Sequence, residues 1–282
     1  MTMIRLHYLG TGAAEGFPSV FCNCDACRKV RRSLGREVKT RSCTLLGEDT
    51  LIDLSPDLFA QAVRDRLELS CIKRIFFTHS HADHLDLPSL MYRLKEGASH
   101  LLVPEEENRI DCWGPEGVWR RILQGYAEQK DADSSRLRFH PLHAFESVEV
   151  PGYRITAIRA NHMRTEECLN FIIDDGKKAV LYANDTGRLP DESVGFLLSY
   201  GKPFSLLSLD CARGTLDGDG HMGLAEIKEL VGILRTAGRI DGDTKILLNH
   251  YSHMCGLTPG EFEEIVKPLG MSLTFDGQIV KV

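Results

Sequence analysis

Apolar positions along this chain follow two rhythms. Short runs rich in β-branched and aromatic residues predict strands near residues 3–9, 43–46, 50–53, 74–78, 100–103, 137–140, 153–159, 169–173, 178–182, 204–209, 245–248, 271–275 and 278–281. Between them, apolar residues three and four apart predict helices near 56–66, 86–96, 117–129, 190–200, 224–236 and 259–267. Ser55 followed by Pro56, and Thr258 followed by Pro259, read as the N-cap and first position of two of these helices. Strands and helices interleave throughout. This predicts an α/β fold, a four-layer αββα sandwich of two mixed sheets with helices outside.

Composition sets the outer bounds. The 282 residues, 43% hydrophobic and 26% charged, suit one domain over 1–282. A net charge of −6 argues against an extended nucleic-acid surface. The run Cys27-Arg-Lys-Val-Arg-Arg32 is a local exception, read as the solvated side of a short helix, with phosphate steering as the lesser reading. No stretch approaches 18 apolar residues, and the first nine read as a strand rather than a charged leader. The expectation is a cytoplasmic protein without a membrane segment. Gly10, Gly12 and Gly16 follow a strand but precede a cysteine loop rather than a helix, so dinucleotide binding is rejected.

The chemistry is concentrated in Thr78-His-Ser-His-Ala-Asp-His-Leu85. Three of the chain's 11 histidines and a carboxylate fall within six positions, directly after the strand-like Lys73–Thr78. Imidazole and carboxylate together suit Zn2+, Mn2+ and Fe2+, and a strand end holds them rigidly at a crevice. Three more candidates each follow an apolar, strand-like stretch: His162, Asp185 and His250. Asp53 and Asp210 are candidates to receive the outward N–H of the ligating imidazoles.

A second cluster, Cys22-Asn-Cys-Asp-Ala-Cys27, holds three of nine cysteines. Reduced thiols at this spacing predict a structural Zn2+ knot at 22–27, which needs a fourth ligand. His253, His7, Cys43 and Cys255 are available. His253 is favoured because it lies three residues from His250, so one loop would tie both clusters together.

The H-x-H-x-D-H string, with the later His, Asp and His in that order, resembles the metallo-β-lactamase fold superfamily of binuclear hydrolases. The resemblance implies that His79, His81 and His162 hold one divalent metal, that Asp83, His84 and His250 hold a second, and that Asp185 bridges them, with a bridging hydroxide as nucleophile. Mn2+ and Zn2+ fit this ligand set alike. With Leu9-Gly-Thr-Gly, the cysteine spacing, Asn184-Asp-Thr-Gly187, Gly220-His-Met-Gly223 and Asn249-His-Tyr-Ser-His253, most of the chain resembles the phosphoribosyl 1,2-cyclic phosphate phosphodiesterase family of phosphonate degradation. That family carries a Cys3His structural zinc, which supports His253. It also implies a small phosphorylated substrate, 5-phosphoribosyl 1,2-cyclic phosphate, opened to ribose 1,5-bisphosphate. A homodimer is left open.

His221 lies in Asp217-Gly-Asp-Gly-His-Met-Gly223, ahead of a helix whose N-terminus favours an anion. The resemblance puts it beside the substrate phosphate, stabilising charge or protonating the leaving oxygen, with helix capping as the plainer alternative. His221 and Asp83 are the residues expected to take part in catalysis. The chain departs from the family pattern between His84 and His162, where 77 residues intervene and Ala127–Ser135 is polar. Segment 97–150 therefore has no assigned role. Three other readings compete: a related hydrolase acting on an RNA end, lactone or thioester, a pyrroloquinoline quinone biosynthesis B-like protein, and a redox or binding protein.

Overall fold

A computed structural model describes residues 3–94, 98–127 and 134–282. In chain order the elements are β1 (Arg5–Gly10), α1 (Asp25–Ser33), β2 (Cys43–Leu46), β3 (Thr50–Ile52), α2 (Leu58–Asp65), β4 (Arg74–Phe76), α3 (Leu87–Met91), β5 (Ile110–Gly114), α4 (Glu116–Ala127), β6 (Leu137–Pro141) and β7 (Ser147–Val150). They continue with β8 (Tyr153–Arg159), β9 (Leu169–Asp174), β10 (Ala179–Ala183), α5 (Asp191–Ser199), β11 (Phe204–Asp210), α6 (Leu224–Thr236), β12 (Lys245–Asn249), α7 (Pro259–Val266), β13 (Met271–Leu273) and β14 (Gln278–Lys281).

The strands form two seven-stranded mixed sheets, ordered β14-β1-β2-β3-β4-β5-β6 and β13-β12-β11-β10-β9-β8-β7. Apolar side chains of both sheets, among them Leu6, Phe76, Phe171 and Tyr182, interleave in a central core. The outer face of the first sheet packs against α2, α3 and α4 through Leu90, Val118 and Ile122. The outer face of the second packs against α5, α6 and α7 through Leu197, Leu230 and Phe262. This is the expected αββα sandwich, and both sheets are buried on both faces. That burial explains why strands such as β10, Ala-Val-Leu-Tyr-Ala, read as unbroken apolar runs.

Four local expectations are corrected. Residues 100–103 form no strand. Pro104, which has no N–H to donate, follows directly, and Leu102 is fully exposed. The strand here is β5, where Ile110 and Cys112 are buried while Asp111 and Trp113 are only partly so. β7 escaped notice because, as the edge of its sheet, it is polar and half-exposed. Helix α2 starts at Leu58 rather than Pro56. Ser55 Oγ instead accepts from Asp57 N, and the Asp57 carboxylate is taken by Arg41 Nε at 2.8 Å. Helix α3 stops at Met91, short of residue 96. Most of the polar stretch Ala127–Ser135, and the end of the helix expected over 117–129, lie outside the described residues.

Candidate metal centre

The candidate ligands converge from strand ends of both sheets. His79, His81, Asp83 and His84 lie beyond β4, His162 beyond β8, Asp185 beyond β10 and His250 beyond β12. Donor atoms of His79, His81 and His162 all lie within 4.8 Å of one another, and so do those of Asp83, His84, Asp185 and His250. His81 Nδ1 stands 2.9 Å from His79 Nε2 and 3.1 Å from His162 Nε2. Two nitrogens on one tetrahedral Zn2+ would be separated by roughly 3.4 Å, from bonds of about 2.0–2.1 Å. Asp185 reaches both groups. Its Oδ1 lies 3.0 Å from His250 Nε2 and 3.7 Å from His162 Nε2, while its Oδ2 faces His84 Nε2. That is the position of a bridging carboxylate.

The supports of these side chains fix their chemistry. His84 Nδ1 donates to Asp53 at 2.7 Å, so its Nε2 offers a lone pair inward. His79 Nδ1 meets Thr78 Oγ1 at 2.9 Å, and Thr78 N donates to Asp53 at 2.8 Å. His250 Nδ1 meets Ser42 Oγ at 2.8 Å, and His162 Nδ1 donates to Gly220 O at 3.1 Å. Gly220 supports this with a left-handed φ of 69°. Of the two carboxylates expected to support imidazoles, Asp53 serves His84 directly, whereas Asp210 serves His221. Ser42 and Thr78 were missed. Ser42 meets His250 only in three dimensions, across 208 residues, whereas Thr78 is the chain neighbour of His79 and its adjacency was the available signal.

Electrostatics favour a cation. Burial pushes the His79 and His162 pKa values down, keeping both imidazoles neutral. Burial opposes charge on Asp83 and Asp185, yet the neighbouring imidazoles hold both carboxyls well below the usual range. Burial also disfavours a charged His84, but Asp185, Asp83 and Asp53 together drive its pKa well up. That field attracts a divalent ion as readily as a proton. His84 Nε2 and Asp185 Oδ2 are buried and face each other, with Asp83 Oδ2 3.1 Å from the same nitrogen. Imidazole nitrogens and ionised carboxylates converging on one buried point are what a metal needs, so the residues fit one.

His221 lies beside the cluster. Its Nδ1 is 2.9 Å from Asp210 Oδ2 and 3.4 Å from Asp185 Oδ1. Burial lowers its basicity, but the Asp210 carboxylate, by charge and hydrogen bond, outweighs burial and carries the pKa up to about 9. His221 does not cap α6. Gly223 is the N-cap, and its N–H donates to Glu226 at 2.9 Å.

Cys22, Cys24 and Cys27 come together with His253. Cys22 and Cys24 Sγ each lie 3.7 Å from His253 Nδ1, and Cys27 completes a group within 4.8 Å. A Zn2+ with bonds of about 2.3 Å to sulfur and 2.0–2.1 Å to nitrogen would put S and N roughly 3.6 Å apart. The alternatives are engaged elsewhere. His7 pairs with Asp65 at 3.2 Å, Cys43 Sγ donates to Asp53 O at 3.3 Å, and Cys255 Sγ meets Tyr251 OH at 3.3 Å. The basic run of α1 serves this knot. Arg31 donates to Cys22 O at 2.6 Å, and Lys29 pairs with Glu261 at 2.6 Å.

Comparison with known proteins agrees with this fold. The model of the beta-lactamase superfamily domain matches residues 49–251. Coenzyme PQQ synthesis protein B of Stutzerimonas stutzeri is 25% identical over 297 residues, covering 94% of this chain and 86% of that protein. An octanoyltransferase of Porphyromonas gingivalis is 31% identical over 153 residues, covering 53% of this chain but only 25% of that protein. A solved structure described as a new diphosphatase from the PhnP family covers 100% of this chain and 98% of its own, with a TM-score of 0.74 and 22% identity, a likeness of fold. No described helix is long and apolar enough to cross a membrane.

Proposed function

The chain belongs to the beta-lactamase superfamily and is a metal-dependent hydrolase, and on that premise we propose that its substrate is a phosphodiester. The specific reading is a cyclic one, 5-phosphoribosyl 1,2-cyclic phosphate, opened to ribose 1,5-bisphosphate. In this reading His79, His81 and His162 hold one divalent ion, Asp83, His84 and His250 hold another, Asp185 touches both, and Cys22, Cys24, Cys27 and His253 hold a structural Zn2+. When bound, the two catalytic ions supply Lewis acidity toward phosphoryl oxygens and acidify a water to serve as nucleophile.

The observation that carries the reading is the His221–Asp210 pair standing 3.4 Å from the carboxylate shared by both ligand groups. Asp210 is fully buried and accepts from Ala212 N at 2.9 Å, so it cannot swing away from the imidazole. His221 is thereby oriented, and the Asp210 carboxylate favours its protonated form. It can donate a hydrogen bond to a phosphoryl oxygen or a proton to the departing sugar oxygen. Asp83, ionised and beside His84 Nε2 at 3.1 Å, orients and holds rather than donates. The test is turnover by metal-replete enzyme of the cyclic phosphate, an aryl phosphodiester, a lactone and a thioester. Rapid opening of the cyclic phosphate is expected. Turnover of the lactone or thioester with none of either diester would overturn the proposal. A second reading, a role like that of coenzyme PQQ synthesis protein B, is favoured by the alignment over 94% of the chain.

A further inference from the structure

We propose that Glu166 is the positioning residue of the His79–His81 loop, setting the separation of His81 and His162 that the first ion requires. This rests on the metal-centre reading above. Glu166 lies four residues beyond His162, in the loop between β8 and β9. Its carboxylate accepts twice from Ser80, from the backbone N at 2.7 Å and from Oγ at 2.9 Å. Ser80 is the single residue between His79 and His81. One carboxylate therefore grips the backbone between two ligands, from the loop that carries the third. Leu169 N donates to Thr78 O at 2.9 Å, a second bond joining the same two loops on the other side of His79.

His81 has the greatest need of this grip. His79 and His162 face the cluster through Nε2 and are steadied at Nδ1 by Thr78 and Gly220. His81 faces it through Nδ1, the ring nitrogen nearer the backbone, so a shift of its main chain moves the donor atom directly. Among the described residues its Nε2 makes no hydrogen bond. The orientation of His81 is thus set from the main-chain side, where Ser80 and Glu166 stand.

A separate observation concerns helix α4. Its first turn leaves room for this carboxylate, since a Cβ at Gly117 would stand 1.9 Å from Glu166 Oε2 and 2.7 Å from its Cδ. A side chain at 117 would push the carboxylate off Ser80. Gly117 and Glu166 should therefore behave as one unit, although they are 49 residues apart and neither is a ligand.

The test is stepwise Co2+ binding to protein stripped by a chelator. Visible absorption separates cobalt on imidazole and carboxylate from cobalt on thiolate, and bound metal is counted. In wild type, two of the three cobalt ions should lie off the thiolates. Glu166→Ala should weaken one of those two by roughly 10–100-fold, the usual effect of losing a support behind the ligands, and leave the other two sites near wild type. Glu166→Gln should recover most of the loss, because its amide accepts from Ser80 N and donates to Ser80 Oγ. Gly117→Ala should weaken the same site and add nothing in the Glu166→Ala background. Unchanged affinity in Glu166→Ala, equal loss at all three sites, or full additivity with Gly117→Ala would overturn the proposal. If Glu166→Ala does not fold, Gly117→Ala alone decides: selective loss supports the proposal and unchanged binding overturns it. A wild-type protein taking up fewer than two non-thiolate cobalt ions would instead refute the metal-centre reading.

Discussion

Each of the two sheets sets three antiparallel pairings beside three parallel ones, and in each the change comes at the fourth strand, β3 in the first sheet and β10 in the second. Just beyond that strand each carries an aspartate in left-handed backbone, Asp53 at φ 62° and Asp185 at φ 50°. A non-glycine residue held there costs on the order of 1 kcal/mol, so the surrounding structure must insist on it. The two carboxylates then diverge. Asp53 turns to Thr78 N and His84 Nδ1 and stays behind the imidazole. Asp185 turns to the inward nitrogens of His84 and His250. Equivalent backbone therefore supports a candidate ligand in one half and supplies one in the other, according to what faces the carboxylate. The halves also differ in how they deliver donors. The first places four in a single loop, and the second places one at each of three strand ends.

Breaking each aspartate tests the comparison most strongly. Asp185→Ala should strip both hydrolytic ions and reduce turnover to background, a fall of roughly 10⁴ or more, while thiolate-bound Zn2+ remains. Asp53→Ala should weaken metal affinity by only about 10–100-fold, since it acts through His84. Elemental analysis after dialysis reads both, and equal losses would erase the distinction between the two halves.

His221→Ala should come next. With the metal complement intact, kcat on an alkyl phosphodiester should drop by roughly 10²–10⁴. The loss should shrink on bis(4-nitrophenyl) phosphate, whose leaving group needs no proton. Steady-state kinetics on both substrates separates proton donation from charge stabilisation, which would affect them alike.

The candidate knot draws its cysteines from the first half and His253 from the second, so it should matter to stability more than to chemistry. Cys24→Ser should release one zinc per chain and lower Tm by about 5 °C or more, read by calorimetry. Wild-type melting and zinc content would remove the knot from the structure's supports.

The smallest effect concerns protons. Asp210 raises the His221 pKa to about 9, above its ordinary value of about 6.5. The stabilisation from this pair is therefore complete below about pH 6.5 and is lost as pH climbs through about 9. In metal-free protein, the His221 ring protons should titrate near 9 by NMR, and Asp210→Asn should bring that midpoint down. An unmoved midpoint would show that Asp210 does not set the charge of His221.

Local pattern alone determined several features of this protein. A closely spaced ligand string declares itself because adjacent residues beyond one strand must share a loop, so His79, His81, Asp83 and His84 were legible before any folding. Cys22, Cys24 and Cys27 were legible for the same reason, as were the alternation of strands and helices and the cap at Thr258, where side chain and backbone lie within one turn. His162, Asp185 and His250 were legible only as an ordered set, since a lone residue at a strand end is common. Of what stands behind them, Asp53 was a candidate from its strand end, and the tertiary structure decided the rest. Ser42 reaches His250 across 208 residues, and Glu166 reaches Ser80 across 86. It also decided that Asp210 serves His221 rather than a ligand, and that the strand expected at 100–103 gives way to β5. Hydrogen bonds that orient a ligand are made where sheets and loops meet, and a chain has no short-range reason to mark the residues that will meet there.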